Sequence, residues 1–313
     1  VTTVPAQIAR LHALHVSIHA YDGAYVCRPG RGHVIVCGHV VHDSFADFLT
    51  EFYHPSRGVI SFDIVVLSPD PPSPAMTRLL SNVVYATKTT FLKVLLSLVL
   101  LSLVLLSLVL MSSLVHDVDR KRTQLASAEA VFVLADKDAR ATEAQDATTL
   151  LQALSIRNYA DSTGCHIRMY LQMLSDDHQE LSHIIGANQT IHSNRVKADL
   201  VCRGVVCPGS CALILNLMQS VDQAKMHKHI SHPTPWMHEY IGGMSQQVYA
   251  VLLSDAFDGH LYEDVARRFF TGQYMYVRRF EVVLLAVYRR DKDEDVPRVM
   301  LSPFGKSMRP GYI

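Results

Sequence analysis

"RGHVIVCGHVVHDS", residues 31–44, carries the pattern of a strand, a tight turn and a helix start. An unbroken apolar run, "VIVC" (34–37), leads into Gly38, and Asp43 or Ser44 can cap a helix just beyond it. A nucleotide-binding α/β domain begins with this strand–turn–helix. Yet the second and third glycines of G-x-G-x-x-G are missing, and His39, Val40 and Val41 stand where a phosphate needs bare backbone. Nor does an acidic residue close the next strand to hold a ribose, since Leu67 and Ser68 occupy that place. The stretch therefore predicts a dinucleotide-type fold without its usual ligand.

Reading outward, "FADFLTEFY" (45–53) is a helix with Phe45, Phe48, Leu49 and Phe52 on one stripe. "ISFDIVVLS" (60–68) is a second strand, and the proline-rich "SPDPPSPAM" is an extended loop before a helix at about 77–83. "TKTTFLKV" is a third strand by its β-branched content, and "AVFVLADK" (130–137) is a fourth. The helix "ATEAQDATTLLQALSIRNYA" follows, capped from Asp136-Lys137-Asp138, and then a fifth strand, "CHIRMYLQML" (165–174). Near-continuous apolar strands alternating with helices imply a parallel sheet covered on both faces.

After about residue 195 the pattern changes. "ADLVCRGVVCPGSCALILNLMQSV" reads as helix, turn at Pro208-Gly209, and helix. "MHKHISHPTPWMHEY" reads as loop, and "FEVVLLAVYRR" (280–290) as a strand of a smaller α+β appendage. The organisation expected is a lead-in segment at 1–30 and a Rossmann-like core at 31–195. A helix–turn–helix crossover at 196–230 and a C-terminal subdomain at 231–313 complete it.

"LSLVLLSLVLLSLVL" (96–110) breaks this order, as three tandem copies of LSLVL inside an uncharged run from Val94 to Met111. Eighteen residues reach the lower bound of the roughly 17–25 that a membrane-spanning helix needs. A five-residue period fits neither helix nor strand, however, and a span would interrupt the sheet. The run is read as a low-complexity insertion at 94–111, the alternatives being an apolar helix extension or a span.

Lys plus Arg and Asp plus Glu number 29 each, so the formal charge is zero and nucleic acid is not an expected partner. The cysteines, Cys27, Cys37, Cys165, Cys202, Cys207 and Cys211, are scattered through a chain too long to need staples, and are read as reduced. The chain starts at Val1 without a signal-peptide pattern and is read as a piece of a longer one. There is no P-loop, nucleophile elbow or catalytic carboxylate pair, so an enzyme is not expected.

The strings "GHVIVCGHVVHDSFADFLTEFYH", "AEAVFVLADKDARATEAQDATTLLQALSIRNY", "IRMYLQML" and "LSDAF" closely resemble the Slo (BK) family of calcium-activated potassium channels. They match its first cytoplasmic RCK domain in order and spacing over roughly residues 31–290. The resemblance implies a gating-ring domain of a large-conductance, voltage-gated channel, in which ligand-driven rearrangement acts on the pore. "VPAQIARLHALHV" (4–16) then looks like the end of the pore helix and its linker. The family has no counterpart of the LSLVL run, and its flanks join smoothly without it. The resemblance also implies tetrameric self-association on the cytoplasmic side of a membrane, continuation into a pore, and a second RCK domain. The family's C-G-H in place of the glycine fingerprint reappears as Cys37-Gly38-His39.

The same resemblance locates candidate sites. The family's calcium ligands fall on Ser56, Ser245 and Gln247, where both carboxylates are replaced, with Glu51 as a possible partial substitute. Calcium is thus expected to act on a full channel and to bind weakly or not at all here. Of the family's magnesium pair, Asp63 keeps one carboxylate and Thr90 replaces the other. His54 matches a family histidine at the end of the first helix; beside an acidic neighbour such as Glu51 it could itself sense protons, against the simpler reading of an exposed histidine. RCK domains pair through the crossover, which points to Leu213, Leu215 and Leu217 as assembly contacts. His227, His229, His232 and His238 could bind zinc but lie in a proline-bearing loop. Cys202, Cys207 and Cys211 read as buried structural thiols. The rival readings are a nucleotide-binding transport regulator or NAD-dependent oxidoreductase-like domain, and a mis-assembled gene product.

Overall fold

A computed structural model describes residues 21–58, 60–94, 117–222, 226, 234–246, 248–271, 283–289 and 298–308. In chain order the first unit contains β1 (Gly32–Gly38), α1 (His42–Phe52), β2 (Phe62–Ser68), α2 (Pro74–Leu80), β3 (Thr89–Lys93) and α3 (Asp117–Arg122). It continues with β4 (Ala130–Leu134), α4 (Thr142–Thr163), β5 (Arg168–Met173), α5 (Gln179–Ile184) and β6 (Gln189–His192). The helices α6 (Ser193–Val206), α7 (Ser210–Met218) and α8 (Pro235–Met244) follow. Two compact units divide after Ser245.

Six strands form one parallel sheet in the order β3-β2-β1-β4-β5-β6. The chain winds outward from β1 to one edge, returns beside it at β4 and winds to the other, so the strand order reverses between β1 and β4. Alternation along the strands makes two cores. Ile35, Cys37, Val65, Leu67, Val131 and Val133 pack with Ala153, Ile156 and Ala160 of α4 on one face. Val34, Val36, Ile64, Val66 and Phe91 pack with Phe45 and Leu49 of α1 and Met76 of α2 on the other. The doubly covered sheet inferred from the apolar runs is the observed one.

Several boundaries differ for physical reasons. The cap of α1 is Val41, without a side-chain bond; Asp43 lies in the first turn, where it meets the ring of His42 at 2.7 Å. Helix α2 starts earlier than 77, because Ser73 accepts the Met76 amide and Pro74 takes the first turn, where its missing N–H is harmless. The sixth strand, β6, has no sequence signal: "QTIH" is four residues long with no apolar alternation, and its one partner among the described residues is β5. The stretch taken as loop at 226–240 is helical from Pro235, whose ring again suits a first turn.

The second unit, from Gln246, contains α9 (Tyr262–Thr271), β7 (Ala286–Arg289) and β8 (Arg298–Leu301). β7 and β8 pair antiparallel, and Phe257, Tyr262, Val265, Val287 and Met308 form its core. The strand expected over 280–290 is described only at β7, and its partner β8 was not anticipated. Residues 1–20 and 95–116, which hold most of the expected pore linker and of the LSLVL run, lie outside the described residues. Among the described residues no helix is long and apolar enough to cross a membrane.

Candidate functional site

At the C-terminal edge of the sheet, where β1 and β4 diverge, Gly38 has φ +92°. A β-carbon there would lie 2.2 Å from the Leu134 carbonyl oxygen. The glycine of the turn is thus used for close approach of β4. The His39 amide, which a phosphate would want, donates to the same Leu134 oxygen at 2.9 Å. Asp136 stands alongside, with Oδ1 3.6 Å from His39 Nε2. The crevice in which a dinucleotide would lie therefore presents a carboxylate to any incoming anion. Asp136 does not cap α4: its Oδ1 accepts the Asp138 amide at 3.0 Å, and Ala141 precedes the helix without a side-chain bond.

The densest polar structure lies instead where residues 21–31, a strap ahead of β1, meet the sheet. Asp63 on β2 is 1% exposed and faces His33 across the β1–β2 ladder. Tyr25 Oη donates to Asp63 Oδ2 at 3.2 Å, and Arg28 Nε lies 3.5 Å from that oxygen. Arg31 Nε is 2.9 Å from Oδ1, an ion pair without an aligned hydrogen bond. Burial, and then the Asp63 carboxylate, push the Tyr25 hydroxyl up to about 12, so it stays a donor. The Tyr25 ring lies against His33 with centroids 4.7 Å apart. Burial lowers the His33 pKa, and Nε2 must carry the proton because its partner, 3.0 Å away, is the Thr123 carbonyl.

A second anchor is Arg122 at the end of α3. Its guanidinium donates to the carbonyls of Tyr21, Gly23 and Lys93, and to Asp119. Its own carbonyl accepts the Tyr25 amide at 2.9 Å. Composition and periodicity could not reveal this anchor: Arg122 is about a hundred residues from the strap, beyond the low-complexity run.

The residues singled out from the sequence are dispersed. Ser56 sits in a short turn after α1, where His54 Nδ1 meets both its hydroxyl, at 2.7 Å, and its amide. Ser245 ends α8 and donates to the Gly242 carbonyl at 2.7 Å; Gln247 lies outside the described residues. Glu51 is engaged on both oxygens, by Arg57 and by the hydroxyl and amide of Ser220. Burial alone would raise its pKa, but the Ser220 and Arg57 bonds outweigh that and hold the carboxyl below its ordinary range. Asp63 already faces two guanidiniums, an unfavourable setting for a divalent cation, and Thr90 sits beside Val65 in the β2–β3 ladder. No group of three or more His, Cys, Asp or Glu side chains suited to a metal occurs among the described residues. Of the histidine cluster only His238 is described, on α8; His227, His229 and His232 lie outside the described residues.

The six cysteines are unbridged. Against expectation, Cys202 and Cys207 are exposed and Cys211 is half-buried, because no residue of α6 or α7 is buried within this chain. Leu213 and Leu215 are 61% and 44% exposed, Leu217 is half-buried, and Val205 and Val206 are 80% and 87% exposed.

The first unit is thus a doubly wound α/β fold with Asp136 at the β1–β4 crevice and exposed apolar side chains on α6 and α7. Two family models match this chain. The calcium-activated potassium channel slowpoke-like RCK domain covers residues 29–93, and the calcium-activated BK potassium channel alpha subunit covers 188–287. Over these two stretches the chain is similar to the RCK domain of Slo-type channels. Potassium channel subfamily U member 1 of Rattus norvegicus is 25% identical over 289 residues, 90% of this chain and 23% of that protein. Calcium-activated potassium channel slo-1 of Caenorhabditis elegans is 23% identical over 292 residues, 90% of this chain and 22% of that protein. The chain thus spans less than a quarter of the length of these relatives. Among solved structures, the GsuK RCK domain aligns over 54% of this chain and 28% of its own, at 14% identity and a TM-score of 0.34.

Proposed function

We propose that this chain is the first cytoplasmic RCK domain of a Slo-type potassium channel and regulates potassium transport as part of a tetrameric gating ring. Residues 1–30 lead from the pore helix, 31–195 form the core, 196–230 the crossover and 231–313 the C-terminal subdomain, with a second RCK domain further along the full chain. The observation that carries the reading is the pair of family matches on the core and on the crossover and beyond. The strap bonded to Asp63 of the sheet and to Arg122 of α3 supports a mechanical role. The domain does no chemistry, and Asp136 at the β1–β4 crevice supports a fold that works without a nucleotide.

In this reading the domain transmits force and does not sense calcium. The family's carboxylate positions hold Ser56 and Gln247, Glu51 is engaged by Arg57 and Ser220, and Asp63 is paired with arginines.

Self-association is the direct test. The exposed apolar faces of α6 and α7 supply the contact, so Leu213→Ala, Leu215→Ala and Leu217→Ala together should raise the dissociation constant at least about tenfold. The circular dichroism spectrum should be unchanged, because these residues are not in the core of the unit. Sedimentation velocity reads the result. A wild-type chain that stays monomeric at high concentration, or a variant that associates as well as wild type, would count against a ring.

A further inference from the structure

We infer that Arg122 is the clasp through which movement of the strap reaches the sheet, a role that rests on the gating reading above. The geometry is that of one planar fork serving three distant pieces of chain. Nε donates to Gly23 O at 2.8 Å and Nη2 to Tyr21 O at 3.0 Å, both on the strap. Nη1 donates to Lys93 O at 2.7 Å, at the end of β3, and to Asp119 Oδ1 at 2.6 Å, on α3. The residue is 8% exposed, so water competes little for these acceptors. Charged donors make the stronger hydrogen bonds, and Asp119 keeps the buried charge balanced.

The strap is also held along its length. Tyr21 O accepts from the Lys93 amide at 3.0 Å, the Tyr21 ring meets Phe91 edge-on at 5.5 Å, and the Tyr25 amide donates to Arg122 O. A displacement of Tyr21 or Gly23 must therefore move the guanidinium, and with it the ends of β3 and α3. β3 is an edge strand of the described sheet, whose one ladder among the described residues is with β2. It can shift while the inner ladders stay intact, whereas a pull on β1 would have to break two of them. The clasp thus directs load to an edge strand and not to the centre of the sheet. It also holds together the two chain ends that flank residues 95–116, since Lys93 lies before that run and Arg122 after it.

Hydrogen exchange on the 313-residue chain, with R122Q, R122K and wild type compared, tests the clasp. In R122Q the amides of Tyr25 and Lys93 should exchange about tenfold faster or more, with β1, β4 and β5 amides unchanged. R122K, which keeps the charge but loses the fork, should fall between. In the full-length protein that contains this chain, R122Q should displace the activation curve of the potassium current without abolishing it. Unchanged strap amides would overturn the proposal, as would protection lost evenly across the sheet, which would make Arg122 a core prop. Loosened strap amides with unmoved activation would overturn the coupling role. Absence of potassium current from the unaltered protein would instead defeat the gating reading, and the exchange data would still report on the clasp itself.

Discussion

Gly38→Ala is expected to destabilise the first unit by at least about 3 kcal/mol. Two effects add. An L-residue held at φ +92° pays roughly 1–2 kcal/mol against its own backbone. The added β-carbon would also sit 2.2 Å from the Leu134 oxygen, which is main chain and cannot turn aside. Relief requires β4 to move away from β1 at the centre of the sheet, where Cys37↔Val133 and Gly38↔Leu134 are in register. The melting temperature should fall by about 6–12 °C. If the glycine were there only to admit a phosphate, alanine would cost little in the empty protein, and a melting temperature within about 2 °C of wild type would say so.

Asp63→Ala is expected to cost about 2–4 kcal/mol, less than a fully buried pair because both arginines keep some contact with water. The substitution leaves Arg31, whose Nε and Nη2 are buried, without its carboxylate, and Tyr25 without its acceptor. Asn is the informative companion, since it retains an acceptor for Tyr25 while losing the charge, and should lie between. Chemical denaturation with and without millimolar magnesium measures both possibilities. A structural anchor predicts the loss in either buffer. Were Asp63 a magnesium ligand, the variant would match wild type in metal-free buffer and differ only when magnesium is added.

What could be read from the sequence follows from how local each signal is. The apolar runs at Val34–Cys37 and Ile64–Leu67 are buried on both faces, so composition alone marks them as central strands. The stripe of Phe45, Phe48, Leu49 and Phe52 is set by helical periodicity and is the face that packs on the sheet. β6 and α8 were missed because their evidence is not periodic. β6 is an edge strand of four residues, and α8 begins at a proline whose meaning depends on the turn around it. The strap anchors lay further out of reach. Asp63 reads as a lone acidic residue in a strand, and its burial beneath Tyr25, Arg28 and Arg31 depends on a chain reversal that no pattern announces. Arg122 reads as one of several charges in "DVDRKR", and only the fold selects it over Arg120 to meet the strap. Exposure of Cys202 and Cys207 is a related case: their apolar surroundings suggested a core, but among the described residues none of either helix is buried.

Calorimetric titration of the 313-residue chain with calcium, with magnesium as control, decides whether this domain binds the ion itself or, as proposed, passes on force. No binding heat is expected up to millimolar calcium, because Ser56 and Gln247 offer no charge and Glu51 and Asp63 are already paired. Saturable binding at micromolar calcium would contradict it and make the domain itself the sensor.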